Sequence, residues 1–134
     1  MNKKVLVSVG IVIIAIVIFK ISSTTNKSEF KYFGNEAKGD LNGDGLEDKA
    51  YLVMKQSGGS TSYYAQVDLK TATGYKTTNP FFIGTDIAPQ STYIPKNSQE
   101  IQVAYAERKS GAPSVGAVKL LKVNSSGILE GLMK

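Results

Sequence analysis

The chain's 134 residues are enough for one globular domain, and the absence of cysteine means that an exported domain would have to be stable without disulfides. The absence of histidine excludes Ser-His-Asp and Cys-His catalytic arrangements, and zinc or copper sites built on imidazole. The net charge of +5 comes mostly from Lys3, Lys4, Lys20 and Lys27, and the other twelve basic residues nearly balance eleven acidic ones, so the composition indicates no nucleic-acid partner.

The N-terminal segment is a predicted export signal. Lys3-Lys4 precedes an apolar run from Val5 to Phe19. Residues 5–21 reach the lower limit for a membrane-spanning helix if Lys20 extends its amine to the interface. We interpret residues 1–21 as an uncleaved signal anchor, with a cleaved signal peptide as the alternative.

A signal anchor or signal peptide at residues 1–21 predicts that the rest of the chain lies outside the cytoplasm. Residues 22–28 are polar and read as a flexible tether, so residues 29–134 form the predicted domain. The two lysines near the N-terminus hold that end inside the cell. We expect a single-pass protein of the cell membrane whose C-terminal domain is periplasmic or extracellular, or a secreted protein if the N-terminus is cleaved.

The predicted domain consists of short apolar segments separated by turn residues. Residues 62–70 alternate cleanly, with Tyr63, Ala65, Val67 and Leu69 on one side, which is typical of a strand with one buried face. Further strands are expected at 50–55, 81–83, 91–94, 99–107, 115–123 and 128–129. The segments 50–55 and 62–70 flank Gly58-Gly59 and form a predicted hairpin. Residues 99–107 alternate again, with Ile101, Val103 and Tyr105 facing one way. No helical period follows residue 22, so the sequence predicts an all-β antiparallel meander of five to seven strands, as a small sandwich or a partly closed barrel.

The loop at residues 40–48 carries the strongest chemical signal. Its sequence, DLNGDGLED, places side-chain oxygens at Asp40, Asn42, Asp44 and Asp48. Ca²⁺ takes six to eight oxygen ligands, and Gly45 permits the sharp turn that a loop around the ion needs. The predicted ligands are those four side chains and the backbone carbonyl of Leu46, whereas Glu47 is expected to point to solvent.

The loop differs from an EF-hand, which has a bidentate Glu at its twelfth position, where this chain has Tyr51. Residues 39–53 instead resemble the calcium loop of FG-GAP and VCBS-type repeats. The resemblance implies a calcium site, of which this chain has one copy. It does not imply a propeller, because the domain is too short for several blades.

A longer resemblance covers most of residues 39–123. Phe81-Phe82-Ile83-Gly84 and Val103-Ala104-Tyr105-Ala106 are two of the segments that are similar to a family of small exported bacterial proteins with no assigned activity. This chain differs at Thr85-Asp86, where an Asp-Arg pair is expected.

Two interpretations of the loop remain open at this point. Asp, Asn and Gly are common turn formers, so the segment could be a metal-free turn held by its own side chains. We favour calcium because four oxygen-bearing residues at this spacing coincide with the glycine that the turn requires. With no bidentate Glu, the expected dissociation constant is about 10⁻⁴–10⁻³ M.

The leading functional hypothesis is a non-enzymatic, membrane-tethered domain with a structural calcium ion and a binding role toward an envelope protein or glycan. Tyr64 is the predicted contact residue, since it is the strand tyrosine on a polar face. One alternative is an accessory subunit of an envelope complex. Another is a hydrolase of envelope glycans, which would need two carboxylates across a cleft. The carboxylates outside the loop ligands are those of Glu29, Glu36, Glu47, Asp68, Asp86, Glu100, Glu107 and Glu130.

Overall fold

The computed structural model describes residues 30–108 and 114–133. The predicted anchor at 1–21 and the predicted tether at 22–28 lie outside these ranges. Within them, no helix has the length and apolar character needed to cross a membrane.

The described part of the chain is all-β, as predicted. The strands are β1 (Lys31–Gly39), β2 (Asp48–Ser57), β3 (Ser60–Thr71), β4 (Gly74–Thr77), β5 (Phe81–Thr85), β6 (Ala88–Tyr93), β7 (Ile101–Glu107), β8 (Val115–Val123) and β9 (Leu129–Gly131). All pairings between them are antiparallel.

The first sheet is built around the β2–β3 hairpin. Ser57 pairs with Ser60 across the Gly58-Gly59 turn, which confirms the predicted hairpin. β1 adds to the free edge of β2, and β4 and β5 both pair with β3.

β4 and β5 occupy successive halves of one edge of β3. β4 pairs with residues 68–71 of β3 and β5 with residues 62–65. Between them, the buried Thr78 N–H donates to the carbonyl of Val67 at 2.8 Å, and the Thr78 hydroxyl accepts the Val67 N–H at 3.1 Å. This side chain replaces a backbone acceptor where Pro80 interrupts the edge, so Val67 keeps both of its backbone hydrogen bonds.

The second sheet is a simple meander in the order β6-β7-β8-β9. Side chains from both sheets form one hydrophobic core, with Leu52 and Val67 from the first sheet, and Val103 and Leu121 from the second. The predicted inward faces of β3 and β7 are confirmed, since Ala65, Val67 and Leu69 and likewise Ile101, Val103 and Tyr105 belong to this core.

Of the two predicted arrangements, a small sandwich or a partly closed barrel, the barrel is excluded, and the predicted number of strands is too low. The sheets do not close into a barrel, because they form two separate hydrogen-bonded sets. The described residues also contain nine strands instead of five to seven. The sequence did not reveal β1, whose alternation is broken by a register shift between Phe33 and Ala37, or β4, which is short and largely exposed.

Candidate metal centre

The candidate calcium loop connects β1 to β2 at one end of the first sheet. The pair Gly39–Asp48 closes it, so Asp48 is both the last predicted ligand and the first residue of β2. Gly43 and Gly45 have φ angles of +78° and +81°. These left-handed conformations cost little for glycine, and they turn the backbone back on itself within a few residues.

The loop brings three carboxylates together. Asp40, Asp44 and Asp48 each offer an oxygen, and the three oxygens lie within 4.8 Å of one another. Three carboxylates at this separation repel one another unless a cation or hydrogen-bond donors neutralise them. The cluster therefore has the charge and the ligand type that a hard divalent cation prefers.

Backbone amides of the loop stabilise the Asp40 carboxylate. Its Oδ1 accepts the Gly43 N–H at 2.9 Å, and its Oδ2 accepts the Gly45 N–H at 2.8 Å. The hydrogen bond from Gly45 is the main reason that the pKa of Asp40 lies below its ordinary value of 3.8. Asp40 is thus held in the ionised form that a metal ligand needs.

The middle of the loop is tied by two further side-chain acceptors. Asn42 Oδ1 accepts the Asp44 N–H at 3.4 Å, and Asp44 Oδ1 accepts the Leu46 N–H at 2.9 Å. These are the bonds that a metal-free Asx turn would make. They are also compatible with metal binding, because one N–H occupies only one of the two lone pairs of the Asn42 amide oxygen and one of about four lone-pair positions of the Asp44 carboxylate.

Asp48 differs from the other two aspartates because its side chain is fully buried. Its Oδ2 accepts the Leu41 N–H at 2.7 Å, and its Oδ1 accepts the Lys70 N–H at 2.8 Å. This one carboxylate therefore connects the start of the loop to the far end of β3. Glu47, by contrast, is exposed, as predicted.

Leu41 is a loop residue that the sequence analysis missed. Its side chain is fully buried in the core, directly between Asp40 and Asn42. The other leucine of the loop, Leu46, is 39% exposed. An isolated apolar residue in a polar loop indicates a side chain that packs into the core. This loop has two such leucines, and only the structure shows that Leu41 is the buried one.

In four grooves that described residues form, no two of the carboxylates outside the calcium loop lie together. One of these four grooves is lined by a carboxylate, that of Asp40. The other three are lined by no Asp or Glu. Asp68 and Asp86 instead have structural partners. Asp68 accepts hydrogen bonds from Tyr51 and Thr77, and Asp86 accepts the Thr61 N–H.

An aromatic surface surrounds Tyr64 on the outer face of the first sheet, the face that points away from the core. Tyr32, Val53, Tyr64 and Phe82 are cross-strand neighbours in register on β1, β2, β3 and β5. We call these four residues the aromatic row. The Tyr64 ring contacts Phe82 at 5.6 Å and Phe30 at 5.2 Å, measured between ring centroids.

Within the aromatic row, Val53 is shielded from solvent, whereas the rings at both ends of the row are exposed. Val53 is 3% exposed although it points away from the core, whereas Tyr32 and Phe82 are 67% and 52% exposed. Tyr64 itself is partly buried. The predicted contact residue is therefore the centre of an exposed aromatic patch, which extends beyond one tyrosine.

No family model, curated protein or solved structure matches this chain.

Proposed function

We propose that this chain is a membrane-tethered, extracytoplasmic β domain, built as a small sandwich, that binds one calcium ion at residues 40–48 and has a structural or binding role without catalysis. The observation that carries the proposal is the convergence of the three aspartate oxygens within 4.8 Å. The resemblance of residues 39–53 to FG-GAP and VCBS-type loops points to the same ion.

The donor set fits calcium by its chemistry. The proposed ligands are oxygens of Asp40, Asn42, Asp44 and Asp48, and the carbonyl of Leu46, and water would complete the shell. A bound Ca²⁺ would neutralise the repulsion among the three carboxylates. Because Asp48 also accepts hydrogen bonds from Leu41 and Lys70, the ion would stabilise the junction between the loop and β3.

The location follows from the sequence of the N-terminal segment. Residues 5–21 would anchor the chain in the cell membrane, and residues 22–28 would separate the bilayer from the domain. Millimolar calcium outside the cytoplasm would be sufficient for a site of the expected affinity. The exposed aromatic row supports a binding role, since large exposed apolar patches are unusual on a protein with no partner.

The test is a calcium titration of the full chain in detergent micelles, followed by isothermal calorimetry and by thermal melting. Asp44→Asn removes one charge from the cluster at an exposed position, so the variant should still fold. Glu47→Gln is the matched control because it removes the same charge from an exposed residue of the same loop that is outside the cluster.

We expect calcium to raise the melting temperature of the wild type and of Glu47→Gln relative to EDTA, with a much smaller rise for Asp44→Asn. Stabilisation by a ligand grows with the logarithm of its concentration above the dissociation constant. If calcium releases no heat and shifts no melting temperature in the wild type, the loop is an Asx turn and the calcium proposal is wrong.

A further inference from the structure

The outer face of the first sheet combines aromatic rings with an excess of lysines. Lys49 and Lys70 place their amines 5.0 Å and 4.6 Å from the centroid of the Tyr75 ring. At the other end of this face, Lys55 lies 5.8 Å from the centroid of Phe30. Each lysine thus has an aromatic neighbour that holds its charge at the surface of the sheet.

This face has fewer carboxylates than lysines, and one of those carboxylates already accepts hydrogen bonds from neighbouring hydroxyls. Lys38 lies beside Lys49 in the register of β1 and β2, which makes four lysines on the face. Among the described strand residues, Asp68 lies on this face as the cross-strand neighbour of Lys49, and Glu36 is an exposed residue of the edge strand β1. Asp68 already accepts hydrogen bonds from Tyr51 and Thr77. The face is therefore apolar, aromatic and net positive.

From these observations we infer that this face docks on the surface of the phospholipid bilayer, with its exposed rings among the headgroups and its lysines on anionic lipids. The inference depends on the membrane tether of the proposed function. Tyrosine and other aromatic rings are favoured at membrane interfaces, and lysines near the surface are attracted to anionic leaflets.

The short segment between the predicted membrane anchor and this face also supports docking on the bilayer. Eight residues, 22–29, separate the end of the apolar segment from Phe30, whose ring contacts Tyr64 of the aromatic row. Eight fully extended residues span at most about 26–29 Å. The aromatic end of the face is therefore the part of the described domain that lies nearest in sequence to the bilayer.

Charge complementarity argues against a second copy as the occupant. Two copies that docked symmetrically through this face would bring the same lysine-rich surfaces together. Like charges in apposition oppose such an interface, whereas an anionic lipid surface complements them.

The experiment uses the full chain reconstituted in vesicles, with tryptophan as a depth probe. The chain contains no tryptophan, so a single substitution provides the only such fluorophore. Phe82→Trp places it in the aromatic row. Tyr93→Trp is the matched control, because Tyr93 is also an aromatic residue, is 56% exposed, and lies on β6 of the second sheet. Tyr32→Trp replaces the first variant if circular dichroism shows that Phe82→Trp is misfolded.

The vesicles contain phosphatidylcholine with or without phosphatidylglycerol, and lipids brominated on their acyl chains serve as quenchers. We expect the emission of Phe82→Trp to shift to the blue and to be quenched by bromolipid, more strongly when phosphatidylglycerol is present. The emission of Tyr93→Trp should remain that of a solvent-exposed indole.

Flotation of the same vesicles separates failure of docking from failure of the tether. If the chain floats but neither variant is quenched, the tether stands and the docking inference is wrong. If the chain does not float and neither variant is quenched, both are wrong. A blue shift of the Phe82→Trp emission without quenching would show that something other than lipid, such as a second copy of the chain, covers the face. Equal quenching of both variants would show that the domain embeds in the bilayer non-specifically. Either result overturns the inference.

Discussion

The carboxylate of Asp48 accepts the backbone N–H of Lys70 at 2.8 Å, across 22 positions of sequence. Its other oxygen accepts the N–H of Leu41 at 2.7 Å. Asp48 therefore joins the first residue of β2, the start of the candidate metal loop and the end of β3. Any event that changes the charge or position of this carboxylate, including the proposed binding of calcium, acts directly on the frame of the first sheet.

Asp48→Ala should lower the free energy of unfolding even in EDTA, because it leaves two backbone N–H groups without their acceptor. Each buried donor left unpaired costs about 1–3 kcal/mol. Chemical denaturation of the full chain, followed by circular dichroism, measures the loss. Glu47→Ala is the control, since substitution of this exposed neighbour should change stability by no more than about 0.5 kcal/mol. Equal stability of the two variants would contradict the role assigned to Asp48.

Thr78→Val should destabilise the domain by about 1–3 kcal/mol, because the buried N–H of Val67 loses its hydroxyl acceptor. Valine has nearly the same shape, so the loss would reflect the hydroxyl. Thr78→Ser keeps that hydroxyl and loses one methyl group, at a cost of about 0.8 kcal/mol. Denaturation of both variants under identical conditions separates the two effects. If Thr78→Ser is less stable than Thr78→Val, the hydrogen bond from the Val67 N–H to the Thr78 hydroxyl does not stabilise this edge of β3.

Asp40 should contribute to acid sensitivity in the absence of metal. Its pKa is lower in the folded state than its ordinary value of 3.8, mainly because of the hydrogen bond from Gly45. The folded state therefore binds fewer protons than the unfolded state near that pH. The contribution is fully present above pH 3.8 and is lost as the pH falls below 3.8 through the folded-state pKa.

The measurement is the difference in unfolding free energy between the wild type and Asp40→Asn, recorded in EDTA over a series of acidic pH values. This difference should be constant near neutral pH and should change below pH 3.8. A pH-independent difference would contradict the lowered pKa of Asp40.

Tyr51 should make the domain sensitive to alkaline pH. Burial raises the pKa of Tyr51 above its ordinary value of 10.0, and the hydrogen bond from its hydroxyl to Asp68 at 2.9 Å raises it further. A raised pKa contributes stability that is fully present below pH 10 and is lost as the pH rises above it.

Tyr51→Phe removes both the hydrogen bond and the ionisable group. We expect it to cost about 0.5–1.5 kcal/mol at neutral pH. Above pH 10 the difference between wild type and variant should shrink, because only the wild type loses the contribution of Tyr51. Denaturation at neutral pH and above pH 10 measures both quantities. Parallel losses of stability in the two proteins above pH 10 would show that Tyr51 does not titrate as inferred.

Much of the strand pattern was predictable because alternation of apolar residues reports a strand with one buried face. Residues 62–70 and 99–107 show that alternation, and their predicted inward residues form the core. The bulged β1 and the short β4 escaped prediction, since a register shift in one and exposure of the other remove the periodic signal.

By itself, the sequence determined which chemistry the loop at 40–48 offers, because the spacing of oxygen-bearing residues and glycines is a local property of the chain. It also determined the absence of histidine and cysteine chemistry. Only the tertiary structure decided that Asp48 and Leu41 are fully buried and that four residues from four strands form the aromatic row. The burial of these two residues and the formation of the row depend on contacts with residues far away in sequence, as between Asp48 and Lys70. Such contacts form only when the strands pack together.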